Sequence, residues 1–166
     1  METSISKNDK NLGMLMHLST FSKFFFPFGN FIAPLILWTT NKDKPFIDKH
    51  GKEAINFQIS MFLYTLALGL ICIPFFLFYA SDFISLVERI DDAYYHARSV
   101  DLHNLTGYFI AFIVILLISL GLFILELYAV INASIKASEG KEYKYPFSIK
   151  FIKTNNINQS KNEHSS

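Results

Sequence analysis

Few side chains in this chain are of a type that could do chemistry within its apolar stretches, and Glu126 comes first among them. It stands in the run from Gly107 to Ile131, GYFIAFIVILLISLGLFILELYAVI, as the one ionisable group. A carboxylate there could relay a proton or an ion, or touch a substrate, and at that depth it must face other helices, take a partner or be protonated. The blander possibility is a hydrogen bond between helices, with Asn56, Gln58 or Ser60 as partner. A transporter normally carries several such groups and this chain shows one, which favours the bond. A second set opens the preceding apolar region: His50, Gly51, Glu53, Asn56, Gln58 and Ser60. Glu53, Asn56 and Ser60 follow three- and four-residue steps and so share a helical face. His50 with Glu53 supplies only two metal-ligand types where zinc needs three or four, and His17, His96 and His103 belong to other segments. No metal or other cofactor is expected. Asp48 is read as a helix cap and Gly51 as relief in the first turn. A third set, from Asn132 to Pro146, is anchoring in type. Asn132 is a candidate contact within the bundle, Gly140 the helix stop, Tyr143 and Tyr145 headgroup-layer residues, and Pro146 a block to further helix. Small Ala133, Ser134, Ala137 and Ser138 permit close helix approach.

The elements that position these residues are membrane helices. As a helix, the Glu126 run covers roughly 37 Å at 1.5 Å per residue, against a hydrocarbon core of about 30 Å. It has no polar stripe for water. Apolar residues are 51% of the chain and charged residues 17%, which is low beside the roughly 25% charged of soluble domains. The 18 Phe and 8 Tyr lie mostly in or beside the apolar runs. A net charge of +1 gives no field to attract nucleic acid. The lone Cys72 cannot form an internal disulfide and reads as a packing residue. Motifs for hydrolases, zinc proteases, phosphate loops and dinucleotide binding are missing, so an enzyme is not expected.

Three apolar regions emerge: about Leu12–Trp38, Ala54–Tyr79 and a helix predicted over Leu105–Ala137. The fold expected is all-α, an integral membrane bundle of three to four transmembrane helices. Region one is interrupted by Lys23 and by Pro27-Phe28-Gly29-Asn30. It is either one helix, placing the N-terminus outside, or a broken hairpin with both ends inside. The hairpin respects the positive-inside bias better, although arms this short span only a thinned bilayer. Between regions two and three, Phe83, Val87, Ile90 and Tyr94 predict a short amphipathic helix in an extracytoplasmic loop. The loop 41–52, with Lys42, Lys44, Lys49 and Lys52, and the Lys-rich C-terminus are expected in the cytoplasm. Organisation reads as a polar N-terminal segment 1–11, a membrane domain 12–153, and a disordered tail 154–166.

Three stretches together, HLSTFSKFFFPFGNFIAPLILW, NKDKPFIDKHGKEAINFQIS and INASIKASEGKEYKYPFSIKFI, resemble the Tic-20-like family of small bacterial membrane proteins, a domain of unknown function. The marks are Pro27, Gly29 and Pro34, the Asp48–Gln58 stretch with His50 and Gly51, and Gly140, Tyr145 and Pro146. The loop 81–104 carries no family mark. The resemblance implies a multi-pass protein of the bacterial inner membrane and brings no catalytic residues with it. Two functions remain open. One is a non-enzymatic scaffold or partner subunit in the lipid bilayer, alone or with another membrane protein. The other is a translocation or channel component, which needs a homo-oligomer to enclose a path.

Overall fold

The computed structural model describes residues 5–96 and 103–153, as backbone alone for most of 82–96 and for 103–105. Every regular element among them is helical. In chain order these are α1 (Lys7–Leu18), a short 3-10 helix (Ser19–Phe24), α2 (Gly29–Thr39), α3 (Pro45–His96) and α4 (His103–Ser138). Two are long and apolar enough to cross a membrane, over Pro45–Ser81 and Thr106–Ser138. That is fewer than the three to four crossings expected. Region one forms no helix of that length: α1 and α2 have 12 and 11 residues and reach only about 18 Å each.

The start of α1 is set by Ser6, whose hydroxyl accepts from the Asp9 N–H. The helix therefore begins inside the segment read as a polar lead. The chain then tightens into the 3-10 turn and reverses over Phe25–Phe28, so α2 packs back on the 3-10 helix. Phe28 makes the reversal at φ 59°, a left-handed conformation costly for a bulky residue. Gly29 follows because a Cβ there would strike the Ser22 carbonyl carbon and oxygen at 2.5 and 2.6 Å. Only glycine lets the two backbones pass this closely.

α3 opens on Pro45, favourable at a first helical position. Asp48 is therefore not its cap. It lies in the first turn, accepts from the Trp38 indole N–H at 2.9 Å and pairs with Lys52. Gly51 makes room for Trp38, since a Cβ would overlap the indole ring. Helical backbone continues to His96. The short amphipathic helix expected after Tyr79 is thus the continuation of α3, and the Phe83, Val87, Ile90 and Tyr94 side chains fall outside the described residues. So does the tail 154–166. α4 matches its predicted span within two residues at each end and stops at Gly140, φ 79°. There the Gly140 N–H bonds to the Ala137 carbonyl and the Lys141 N–H to the Lys136 carbonyl, a Schellman closure.

The chain divides into two compact units. One comprises Met1–Met61 with Leu125–Ser166, here called the head; the other is Phe62–Ile124. The second unit holds α3 from Phe62 onward and α4 up to Ile124, with an edge-on contact of Tyr79 with Tyr108 (centroids 5.6 Å). Its large side chains, such as Leu70, Phe76, Phe109 and Leu117, face outward, as lipid-facing helices require. The head holds the buried core: Met16, Ile47, Ala54, Phe57, Ala129, Val130, Ala133 and Ala137. Gly13 of α1 packs between Phe46 and α4, where a Cβ would lie 3.0 Å from the Phe46 ring and 3.4 Å from the Cβ of Ala137.

Candidate functional site

The head buries an unusual number of polar groups: His17, Thr20, His50, Glu53, Asn56, Gln58, Ser60, Glu126 and Ser134. They organise into three nodes.

The first is built on Glu126. Lys23, from the 3-10 helix, donates to Glu126 Oε2 at 2.5 Å, and Gln58 of α3 donates weakly to Oε1 at 3.4 Å. Asn30 of α2 donates to the Gln58 oxygen at 2.9 Å. Four elements meet here. The carboxylate is 7% exposed and the ammonium 27%, so one charge neutralises the other with Lys23 still touching the surroundings. Gln58 stood among the partners expected from the sequence; Lys23 did not. A signal was present, because Lys23 is the cation nearest the reversal in region one and a buried carboxylate requires one.

The second node links the N-terminal helix, α3 and the C-terminal segment. His17 Nε2 lies 2.7 Å from His50 Nδ1, and His17 Nδ1 lies 2.8 Å from the Tyr145 hydroxyl. If Tyr145 donates, His17 Nε2–H donates onward to His50, leaving both rings neutral. Burial, and then the adjacent His50, holds His17 well below its ordinary value near 6.5. Burial likewise pushes the Tyr145 phenol well above 10, reinforced by Tyr143 and by the carboxylates of Glu53 and Glu126. Tyr145 also stacks on Phe57 at 4.2 Å. It is therefore a core residue of the head, not the headgroup-layer residue expected.

In the third node the side chains of α3 hold the C-terminal segment. The Asn56 amide donates to the Ile152 carbonyl (2.9 Å) and accepts from the Ile152 N–H (2.8 Å), as a neighbouring strand would. Ser60 accepts from the Ile149 N–H at 2.8 Å while donating to the Asn56 carbonyl. Salt bridges tie the rim: Lys44 to Asp9 at 2.6 Å and Lys49 to Glu142. Glu53 is buried on the same face of α3. Asn132 turns away from these nodes and donates to the Tyr128 carbonyl of its own helix. Pro34 is buried on α2, whereas Pro27 sits in the exposed reversal and Pro146 precedes the turn at Phe147. Among the described residues, no three His, Cys, Asp or Glu side chains gather as metal ligands would.

The model of the MamF/MmsF family, the magnetosome magnetite crystal formation protein family, matches residues 8–152. The chain belongs to that family. The match runs from α1 to the residue gripped by Asn56, and so takes in the parts of all three nodes. Comparisons with curated proteins and with solved structures gave no match. Membership of the MamF/MmsF family replaces the Tic-20-like resemblance. Four of the residues that carried the resemblance are packing devices of the head: Gly29 passes Ser22, Gly51 faces Trp38, Gly140 closes α4, and Tyr145 meets His17. Such marks identify a way of folding and leave activity open.

Proposed function

We propose that this chain is a non-enzymatic membrane subunit acting in the process for which the MamF/MmsF family is named, the formation of magnetite crystals. The observation that supports a structural role is the use made of Glu126. The one acid in the apolar run of α4 is neutralised by Lys23 and bonded by Gln58, where it fastens the N-terminal hairpin to the two long helices. Each carboxylate oxygen has a donor within the head, Lys23 on Oε2 and Gln58 more weakly on Oε1, which suits a fastening role. In this reading α3 and α4 cross a cytoplasmic or internal membrane, and the head lies on the cytoplasmic side. In favour of that side, Lys42, Lys44, Lys49 and Lys52 share the head with Lys136, Lys141, Lys144, Lys150 and Lys153. α1 joins them through Asp9 and Lys44, which supports an N-terminus on the same side. The head then offers a rigid platform to another membrane protein or to further copies.

The test is complementation of a magnetite-forming strain deleted for its own family member, with crystal size measured by electron microscopy. The wild-type chain and the folded Lys23→Gln/Glu126→Gln double variant should both restore crystal size. Failure of the wild type to do so removes the mineral role. Restoration by the wild type but not by the folded double variant would mean that Glu126 acts as a charge.

A further inference from the structure

Two turns of the head present aromatic side chains outward in a manner that folding alone does not favour. Phe25 is 88% exposed and Phe28 65%, at the reversal between the 3-10 helix and α2. Phe147 is 74% exposed, with Ile149 and Phe151 also outward, in the C-terminal segment. Phe28 and Phe147 are moreover the two non-glycine residues of positive φ among those described, at 59° and 55°. A strained backbone that aims a large apolar ring into water carries two penalties at once.

Both turns stand at one level of the head. Lys23 and Asn30, which flank the reversal, are tied to Glu126 and Gln58; Ile149 is tied to Ser60. That level is the last turn of α3 in this unit. Much of the backbone at both turns is already hydrogen-bonded, as a medium without water requires. The N–H groups of Phe25, Phe26 and Gly29 bond within the reversal, and Pro27 has none. Those of Ile149, Phe151 and Ile152 are bonded also. Around Phe147, Ile149 and Phe151 stand exposed Lys144, Lys150 and Lys153, with no acid from residue 143 to 153. Basic residues interleaved with aromatic ones match an anionic headgroup layer.

We propose that the Phe25–Phe28 reversal and the Phe147–Phe151 turn are membrane wedges. They seat the head in a lipid leaflet, with Lys144, Lys150 and Lys153 on its anionic headgroups. This rests on the two long helices crossing a bilayer and not on any part in mineral formation.

Nitroxide labels in a Cys72→Ser background test it, at Phe25→Cys, at Phe147→Cys and at Leu70→Cys as the span control. The full chain is placed in vesicles of phosphatidylcholine with or without phosphatidylglycerol. Accessibility to oxygen and to a water-soluble nickel chelate then reports depth. With phosphatidylglycerol, both wedge labels should lie about 5–10 Å below the headgroups. Replacing Lys144, Lys150 and Lys153 by Gln should lift the Phe147 label towards water and leave the Phe25 label in place. In the unmutated chain, Lys150 and Lys153 should react more slowly with an impermeant amine reagent when phosphatidylglycerol is present. A lipid-embedded Leu70 label with the Phe147 label open to the chelate overturns the proposal and leaves the spans intact. A Phe147 label whose depth ignores lipid charge overturns it too, as does one shielded by a label on a second copy. A Leu70 label in water removes the spans and the wedges with them.

Discussion

At the scale of single residues, the head is a set of polar bonds made in a place where each is costly to leave half-made. Removing one partner of a well-buried ion pair commonly costs about 3–5 kcal/mol. Lys23 keeps a quarter of its surface exposed, so Glu126→Gln should cost less, about 1–3 kcal/mol, much of it from the ammonium left behind. Lys23→Gln/Glu126→Gln should recover part of that loss. A double-mutant cycle by thermal unfolding in detergent should give a coupling of about 1 kcal/mol or more; a coupling near zero would show that the pair is ornamental. The His17–His50–Tyr145 chain predicts a pH effect of definite sign. His17 is held neutral in the folded head and titrates near 6.5 when unfolded. The unfolded chain therefore takes up the proton first, and the stability gained from a neutral His17 is complete above about pH 6.5 and lost as pH falls below it. The slope is at most about 1.4 kcal/mol per pH unit for each such group. Denaturation midpoints should drop from pH 7 to pH 5, and His17→Gln should flatten the profile while lowering its plateau. An unchanged slope in that variant would assign the effect elsewhere.

At the scale of elements, glycine contacts separate what folds the head from what merely continues a helix. Gly29→Ala forces a Cβ onto Ser22 backbone, which cannot swing aside. It should cost about 1–3 kcal/mol, the usual range for overpacking, and release α2 from the 3-10 helix. Gly69 in α3 has nothing within 4 Å of a Cβ, so Gly69→Ala should be neutral or gain up to about 1 kcal/mol of helix propensity. Equal effects at the two sites, read by unfolding midpoint, would contradict the close approach at Ser22. Elements were also where the sequence spoke most clearly. The end of α4 was legible because Gly140 must adopt a left-handed conformation to close the helix. The break in region one was legible as one of two readings, because Pro27 and Gly29 interrupt a run otherwise long enough for one helix. The extent of α3 was not, since charged residues after Ser81 suggest a loop while remaining compatible with helix. Nor were the three nodes. Lys23 is 103 residues from Glu126, and His17 is 128 residues from Tyr145. No periodicity connects groups so far apart in the chain.

At the scale of the molecule, the head is assembled from both ends of the sequence, and its C-terminal segment covers Asn56, Ser60 and the His17–Tyr145 bond. Truncation after Glu142 should open all of these at once. Limited proteolysis should then cut within 7–40 at protease levels the full chain resists by tenfold or more, while the apolar lengths of α3 and α4 keep their helical circular dichroism. Equal resistance in the truncated chain would mean that the segment is peripheral. The second unit needs no such closure, because its helices satisfy their own backbone and meet lipid with apolar side chains.

The placement of Tyr145, Ile149 and Ile152 has a consequence for biosynthesis. During synthesis α1, α2 and the foot of α3 leave the ribosome well before the residues that complete their core. For that interval Asn56, Ser60 and His17 stand without the partners they later bond and open to wrong ones. The head is thus a late-closing structure whose lock is a strip translated after both long helices, and folding mistakes should concentrate there, not in the second unit.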